Sequence, residues 1–276
     1  MIIHKIRSTS KRIVKHTPFW QLFKMYSRLI DFLFAHKNLL EKELRFTEEK
    51  KLADTLFRDL VVIEGPFKGL QYPALKSHGS AIFAKLYGTY EFSISDLFTS
   101  ENLKKYGHVI DIGCAEGYYA IGVCLLNDKL TVTAVDTSLE ALRLCKQMAE
   151  KNGVSDRISF SSAFEWHILK EIAKNNKKNV LIICDCEGCE AEIFNRNMPP
   201  EISNCDLVIE LHDFINPIIS KILLENFSKT HNVRIVKEDR KARFPQLRRL
   251  SRFQRELILD EQRPTLMEWM ILTKNI

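Results

Sequence analysis

The sequence predicts an α/β protein: an open, mostly parallel sheet with helices on both faces, preceded by a helical extension. Three observations predict it. From residue 108 onward, short apolar runs of strand length alternate with longer stretches of helical period. The first run, 108–112, is short and largely apolar, as suits a parallel strand buried on both faces. Residues 1–60 read as helical and stand outside the alternation, which divides the chain into an extension at 1–60 and a catalytic-type domain at 61–276.

In the extension, Phe19, Leu22, Phe23, Tyr26, Ile30 and Leu33 recur in steps of three and four, while Gln21, Lys24, Arg28 and Asp31 fall on the other side. That is an amphipathic helix. Its stripe is expected to pack on the domain or form a homodimer contact. The alternative is a helix lying on an anionic membrane, aided by the basic residues before it. Residues 61–100 form an entry region with turns at Gly65-Pro66 and Gly69, followed by Tyr87 to Glu91 and a helix over 95–105. Strands are then expected at 108–112, 130–135, 157–161, 180–184, 205–211, 231–236 and 268–273. Helices are expected at 118–126, 139–151, 166–174, 187–195 and 217–227. Asn152-Gly153 stops the second of these.

No apolar run is long enough to span a bilayer. The start of the chain does not read as a secretory signal, because His4 and Lys5 interrupt Ile2-Ile3 at once. Seven cysteines, an odd count scattered through strands and helices, do not resemble a disulfide framework, and a cytoplasmic setting is the simpler expectation. The net charge of +6 is concentrated in two runs. One holds Lys5, Arg7, Lys11, Arg12, Lys15, Lys24 and Arg28, and the other holds Arg240, Lys241, Arg243, Arg248, Arg249, Arg252 and Arg255. These are either solvated helix faces or patches for phosphates, acidic glycans or the inner face of a membrane. Nucleic acid is a weaker expectation, since no RNA-binding module and no Asn/Asp-Pro-Pro-Tyr motif is present.

Four segments carry chemistry. Asp111, Gly113 and Gly117 lie in a strand-to-helix turn whose glycines allow a ligand to approach the backbone. Backbone N–H groups in such a turn suit a carboxylate, and Asp111 suits an ammonium. Asp136 ends the next strand, where an acid can accept both hydroxyls of a ribose. The first loop lacks the glycine spacing that a pyrophosphate requires. The pair therefore points away from NAD and toward S-adenosylmethionine, which carries no phosphate.

Asp185 ends the fourth strand at the sheet edge where ligands bind in such folds. Glu187 and Glu190 are expected to open the following helix. Glu210 interrupts an apolar strand and needs a partner. His212, two residues on, is expected on the same face as Glu210, forming a general-base pair near neutral pH. Cys184, Cys186 and Cys189 are spaced loosely like metal ligands, but no second compact pair follows, so zinc is not expected.

Together these segments resemble the FkbM-type methyltransferase family. The resemblance rests on the loop from Asp111 to Gly117, on the run Asp185-x-Glu187-Gly188-x-Glu190, and on Glu210-x-His212. Gly65 to Gly69, Gly88 to Glu91, Arg263-Pro264 and Trp269 are also similar, and the match covers 60–276. Cys189 departs from the small apolar residue usual in the family. The resemblance implies a Rossmann-like class I methyltransferase sheet and O-methylation of a hydroxyl on a sugar, surface glycan or secondary metabolite. It also implies that Tyr90 and Glu91 close over the methionine end of the cofactor. The expected cofactor set is Tyr90, Glu91, Asp111, Gly113, Cys114, Gly117, Tyr118, Asp136, Thr137 and Ala163. The expected catalytic set is His212, Glu210 and Asp185. A divalent metal held by Asp185 and the fifth-strand acids is left open, as is a non-catalytic scaffold that binds the cofactor without using it.

Overall fold

The computed structural model describes residues 18–175, 179–239 and 244–275. The chain divides into two units, 1–54 and 55–276. The first contributes one long helix, α1 (Pro18–Asp54). Met25 and Phe32 widen its apolar side beyond the predicted stripe, and both are exposed, as are Leu22, Phe23, Tyr26 and Leu33. Pairs at i,i+4 spacing such as the exposed Lys37–Glu41 and the half-buried Arg45–Glu49 support its polar side. Among the described residues no helix is long and apolar enough to cross a membrane. Lys5 to Lys15, and Arg240, Lys241 and Arg243, lie outside the described residues.

The second unit is built on a seven-stranded sheet. Its strands are β1 (Tyr106–Ile112), β2 (Thr131–Val135), β3 (Ile158–Ser161), β4 (Asn179–Cys184), β5 (Cys205–Leu211), β6 (His231–Lys237) and β7 (Glu268–Lys274). They lie in the order β3-β2-β1-β4-β5-β7-β6. The first five are mutually parallel, while β7 runs antiparallel to both β5 and β6. The helices are α2 (Ile82–Tyr87), α3 (Ser100–Leu103), α4 (Tyr118–Leu126), α5 (Leu139–Lys151), α6 (Trp166–Asn175), α7 (Glu190–Ile193), α8 (Ile219–Phe227) and α9 (Arg252–Leu259). This is the Rossmann-like class I arrangement.

Side chains alternate across the sheet. Ile110, Ile182, Leu207, Ile209 and Leu272 point to one face and pack with Leu169 of α6 and with Leu223 and Phe227 of α8. Asp111, Val208 and Glu210 belong to the other face, so the fold itself places two acids on one side. Asp206, at the opposite end of β5 from Glu210, shows what an ordinary buried acid needs. It accepts hydrogen bonds from Lys105 Nζ at 2.7 Å, Tyr106 Oη at 2.7 Å and the Lys274 N–H at 3.0 Å. Burial opposes its charge, but these partners outweigh burial and hold its carboxyl below the usual range.

Two predicted helices are shorter than expected. Residues 95–105 split into a 3-10 turn (Phe92–Leu97) and α3, because the Thr99 side chain accepts the Asn102 N–H at 3.1 Å and restarts the helix there. The stretch 187–195 narrows to α7, because Glu187 (φ 54°) and Gly188 (φ 102°) adopt left-handed conformations that no α-helix contains.

Candidate active site

The loop after β1 is held from both sides. The Gly113 and Cys114 N–H groups donate to the Val135 carbonyl at 2.8 and 3.0 Å. The Ala115 N–H donates to Asp136 Oδ2 at 2.9 Å, and the Gly117 N–H donates to the Cys114 carbonyl at 2.8 Å. The expectation that these amides wait for a ligand carboxylate is therefore corrected: four of them are already bonded within the protein. Asp136 Oδ1 also accepts the Ser138 N–H at 2.8 Å. A carboxylate has about four acceptor positions, so Asp136 keeps capacity for ribose hydroxyls while tying the loop to β2.

The glycines serve packing more than ligand approach. Gly113 sits at φ 81°, and a Cβ there would stand 1.7 Å from the Asp185 carbonyl oxygen. At Gly117, φ 98°, a Cβ would meet Ile121 at 2.2 Å and the Cys145 Sγ of α5 at 2.6 Å. We expect Gly113→Ala to destabilise the fold by on the order of 2–4 kcal/mol in urea denaturation, since both the backbone angle and the contact are forbidden to a side chain. The Cys114 side chain is buried, and its Sγ lies 3.8 Å from the Ala115 carbonyl oxygen.

Asp111 is 2 % exposed. Burial pushes its carboxyl up to about 7, opposed by a hydrogen bond from the Ala120 N–H. Its Oδ2 has no hydrogen-bond partner, and neither does the buried Tyr118 Oη. A buried carboxylate oxygen without a donor fits the ammonium of a methionine moiety. Beside it lies a charge pair that sequence reasoning missed. Lys85 Nζ and Glu116 Oε1 stand 2.7 Å apart, 3 % and 2 % exposed. Glu116 also accepts from Tyr72 Oη, Ser77 Oγ and the His78 N–H. Lys85 lies over the rings of Tyr90 (4.8 Å) and Tyr118 (5.5 Å), which themselves meet edge-to-face. A charged residue inside a glycine turn was the available signal for Glu116; nothing in the sequence marked Lys85.

At the ends of β4 and β5 the acids converge. One oxygen each of Glu91, Asp185 and Glu210 lie within 4.8 Å of one another. Arg263 bridges this group, donating Nη2 to Glu91 at 2.6 Å, Nε to Glu261 at 2.8 Å and Nη1 to Glu210. Its guanidinium lies 5.4 Å from the Tyr90 ring centroid and 5.5 Å from that of Trp269. The Tyr119 hydroxyl donates to the other oxygen of Glu91, whose left-handed backbone (φ 49°) turns it inward. Burial and the neighbouring Glu91 push the Asp185 carboxyl up to about 6. Burial and the neighbouring Asp185 and Glu91 push Glu210 well above the usual range, against the pull of Arg263.

His212 is organised differently from the sequence reading. Glu210 is not its partner, because β5 ends at Leu211 and strand alternation ends with it. The His212 carbonyl instead accepts the Ile215 and Asn216 N–H groups in a turn that re-aims the ring. Its Nδ1 meets Glu190 Oε1 at 2.6 Å; the histidine is 2 % exposed and Glu190 fully buried. Nε2 faces Asp185 Oδ1 at 3.6 Å and Glu187 Oε2 at 3.4 Å. Burial disfavours the imidazolium, but Glu190, Asp185 and Glu187 together raise its pKa above the ordinary imidazole value. Asp185, Glu187 and His212 form a second group able to hold a metal ion. Cys186 and Cys189 are joined in a disulfide, a pair that the scattered cysteine pattern concealed, and Cys184 is free and buried in β4.

Glu91, Glu261, Arg263 and Trp269 line a cleft of about 320 Å³ together with Phe92, Ser93, Glu238, Asp239 and Phe244. A larger cleft of about 910 Å³ runs along β3, where Ala163 lies exposed, and contains none of the convergent acids. Thr137 is exposed just beyond Asp136.

Residues 103–205 match a family model described as a methyltransferase domain. With the fold, this match marks residues 103–205 as similar to a methyltransferase domain, and the cofactor of that class is S-adenosylmethionine. Over 76 residues the chain is 34% identical to the probable cobalt-precorrin-6B C(15)-methyltransferase (decarboxylating) of Pyrobaculum calidifontis. That alignment covers 27% of this chain and 39% of the relative, so the chain spans about two fifths of that protein's length. Among solved structures, a putative O-methyltransferase from Klebsiella pneumoniae is 10% identical at a TM-score of 0.43, covering 67% of this chain and 79% of that one. The precorrin 8W decarboxylase of Methanobacterium thermoautotrophicum is 16% identical at a TM-score of 0.42, covering 67% and 90%.

Proposed function

We infer that the chain is an FkbM-type O-methyltransferase that transfers the methyl group of S-adenosylmethionine to a hydroxyl of a sugar, surface glycan or secondary metabolite. One observation carries the reading: His212, its Nδ1 fixed by buried Glu190, presents Nε2 beside Asp185 at the strand ends, next to the cleft that begins at Glu91. A hydroxyl is a weak nucleophile, and an oriented imidazole of raised basicity is suited to take its proton. The cofactor supplies an electrophilic methyl group on sulfur. The protein holds its ammonium at Asp111 and its ribose at Asp136, and aligns the acceptor oxygen in a site closed to water. The edge-to-face pair Phe92 and Phe244, with ring centroids 4.9 Å apart, and carboxylates in the same cleft suit the apolar faces and hydroxyls of a sugar ring. Incubating the protein with labelled S-adenosylmethionine and a panel of sugars and glycan fragments tests the reading. Transfer to carbon or nitrogen, with no hydroxyl acceptor in the panel, would overturn it.

The convergence of Asp185, Glu187 and His212 within 4.8 Å favours a second reading of the same site, in which a divalent cation acidifies the hydroxyl. His212 Nδ1 held by a carboxylate is the support that a metal-binding histidine uses. The metal reading predicts that EDTA abolishes turnover and that Mg²⁺ or Mn²⁺ restores it. Turnover indifferent to EDTA leaves His212 as the base. We further propose that α1 serves as a dimer contact or rests on an anionic membrane. Vesicle sedimentation with and without residues 1–54 tests that role.

A further inference from the structure

The loop that supplies the partners of His212 is closed by a covalent bond. Cys186 and Cys189, three residues apart with Cα atoms 5.6 Å from each other, are disulfide-bonded. Asp185 precedes the pair directly and Glu190 follows it directly, so the ring is flanked by the two acids that face Nε2 and Nδ1 of His212. Glu187, inside the ring, is the third.

The backbone inside the ring is one that a free chain disfavours. Glu187 holds φ 54° and Gly188 φ 102°, and a left-handed glutamate is uncommon without a constraint. Two further contacts couple the ring to the histidine. The Gly188 N–H donates to Glu190 Oε1 at 3.2 Å, the oxygen that also meets Nδ1. Gly188 also packs against Ile215, in the turn that begins at His212, where an added Cβ would stand 3.1 Å from the Ile215 side chain. Both half-cystines are half-buried, whereas the five free cysteines, Cys114, Cys124, Cys145, Cys184 and Cys205, are all buried.

We propose that Cys186 and Cys189 are a thiol–disulfide exchange site for a dithiol reductant, and that the oxidised ring holds the His212 constellation in its working geometry while reduction releases it. In the exchange a thiolate of the dithiol attacks one of the two sulfurs. A mixed disulfide forms, the Cys186–Cys189 bond breaks, and the departing sulfur leaves with the electron pair and takes up a proton. The second thiol of the reductant then displaces the remaining protein sulfur. Two electrons and two protons reach the protein, and the dithiol ends as a disulfide.

Once the ring opens, Glu187 and Gly188 lose the bond that holds them left-handed, and the carboxylates around His212 lose their spacing. The effect on turnover rests on the reading of His212 as the reacting base, whereas the movement of the ring does not. Full-length protein equilibrated in mixtures of reduced and oxidised dithiothreitol separates the two. Differential alkylation with peptide mass spectrometry reads the thiol state of Cys186 and Cys189. The imidazole Cε1–H resonance of His212, assigned by its loss in His212→Ala, reads the site without any acceptor.

The resonance is expected to move between two positions with the same midpoint as the thiols. In the Cys186→Ser/Cys189→Ser variant it stays at the reduced position whatever the buffer. With an acceptor in hand, reduction lowers turnover by about 10–100-fold, the scale for a misplaced reacting group, at unchanged cofactor affinity. A resonance that ignores the thiol state overturns the proposal, and so does a pair that stays reduced in oxidised dithiothreitol. If the resonance follows the thiols but no hydroxyl acceptor is ever methylated, the O-methyltransferase reading fails and the exchange site stands.

Discussion

Replacing His212 by alanine is expected to lower turnover by about 10²–10⁴-fold, the range for loss of a positioned base, while the dissociation constant for S-adenosylmethionine changes by less than about threefold. The separation follows from position. The ring lies at the end of β5 among Glu190, Asp185 and Glu187, whereas the residues assigned to the cofactor's ammonium and ribose lie at the ends of β1 and β2. The pH profile gives an independent check. A base works deprotonated, and the carboxylates around His212 raise its pKa above the ordinary 6.5, so the wild-type rate should climb with rising pH and level off above that value. Glu190→Gln keeps an oxygen that can accept the Nδ1 proton but removes the charge, so the climb should move to lower pH. Turnover that survives His212→Ala, or a profile that ignores Glu190→Gln, would remove the base assignment.

The fold was legible because it is written in long, redundant patterns. Seven strands and the five helices expected among them announce themselves by hydrophobic period, whereas the short helices α2 and α9 do not, and the two shortened helices trace to residues that override the period. Thr99 caps a new helix inside a predicted one. Glu187 and Gly188 turn left-handed where carboxylates before an apolar run suggested a helix start. Asp111, Asp136, Asp185 and Glu210 were legible for a related reason. An acid at the end of an apolar strand contradicts its surroundings, and the sheet edge is where such a contradiction is useful.

Partnerships across the chain were not legible. Glu210 and His212 are neighbours in sequence at strand spacing, yet Glu210 pairs with Arg263, 53 residues away, and His212 with Glu190, 22 residues away. Lys85 and Glu116 meet from segments that no local pattern connects. Arg263 looked only like a family feature. In the fold, one guanidinium satisfies Glu91, Glu210 and Glu261 at once, and without it three buried acids would lie close together with no counter-charge. Sequence periodicity reports which face a side chain takes, and the chemistry here depends on which faces meet.

Asp111→Asn is expected to make the cofactor-free protein more stable and to weaken its grip on S-adenosylmethionine, two effects with one cause. Burial lifts the Asp111 carboxyl from its ordinary 3.8 to about 7. Between roughly pH 4 and pH 7 the folded protein therefore holds a proton that the unfolded chain has released. Stability falls as pH rises through that window, and above it the full cost of a buried charge is present. Each pH unit across the window costs about 1.4 kcal/mol, which sets an upper bound of about 4 kcal/mol. Asparagine keeps the acceptor for the Ala120 N–H and removes the ionisation. At pH 8 the variant should melt roughly 5–10 °C above the wild type, and the gap should close by about pH 4. The cofactor reverses the ranking. Its ammonium compensates the charge that burial penalises, so wild-type affinity should rise as pH climbs through 7. The variant, lacking that charge, should bind roughly 30–150-fold more weakly at pH 8, the equivalent of about 2–3 kcal/mol for a lost charge-assisted hydrogen bond. Calorimetric titration with S-adenosylmethionine at pH 6 and pH 8 reads both slopes. Equal affinity of the two proteins at pH 8 would place the ammonium elsewhere and leave the unpartnered Asp111 oxygen as a cost without a ligand to offset it.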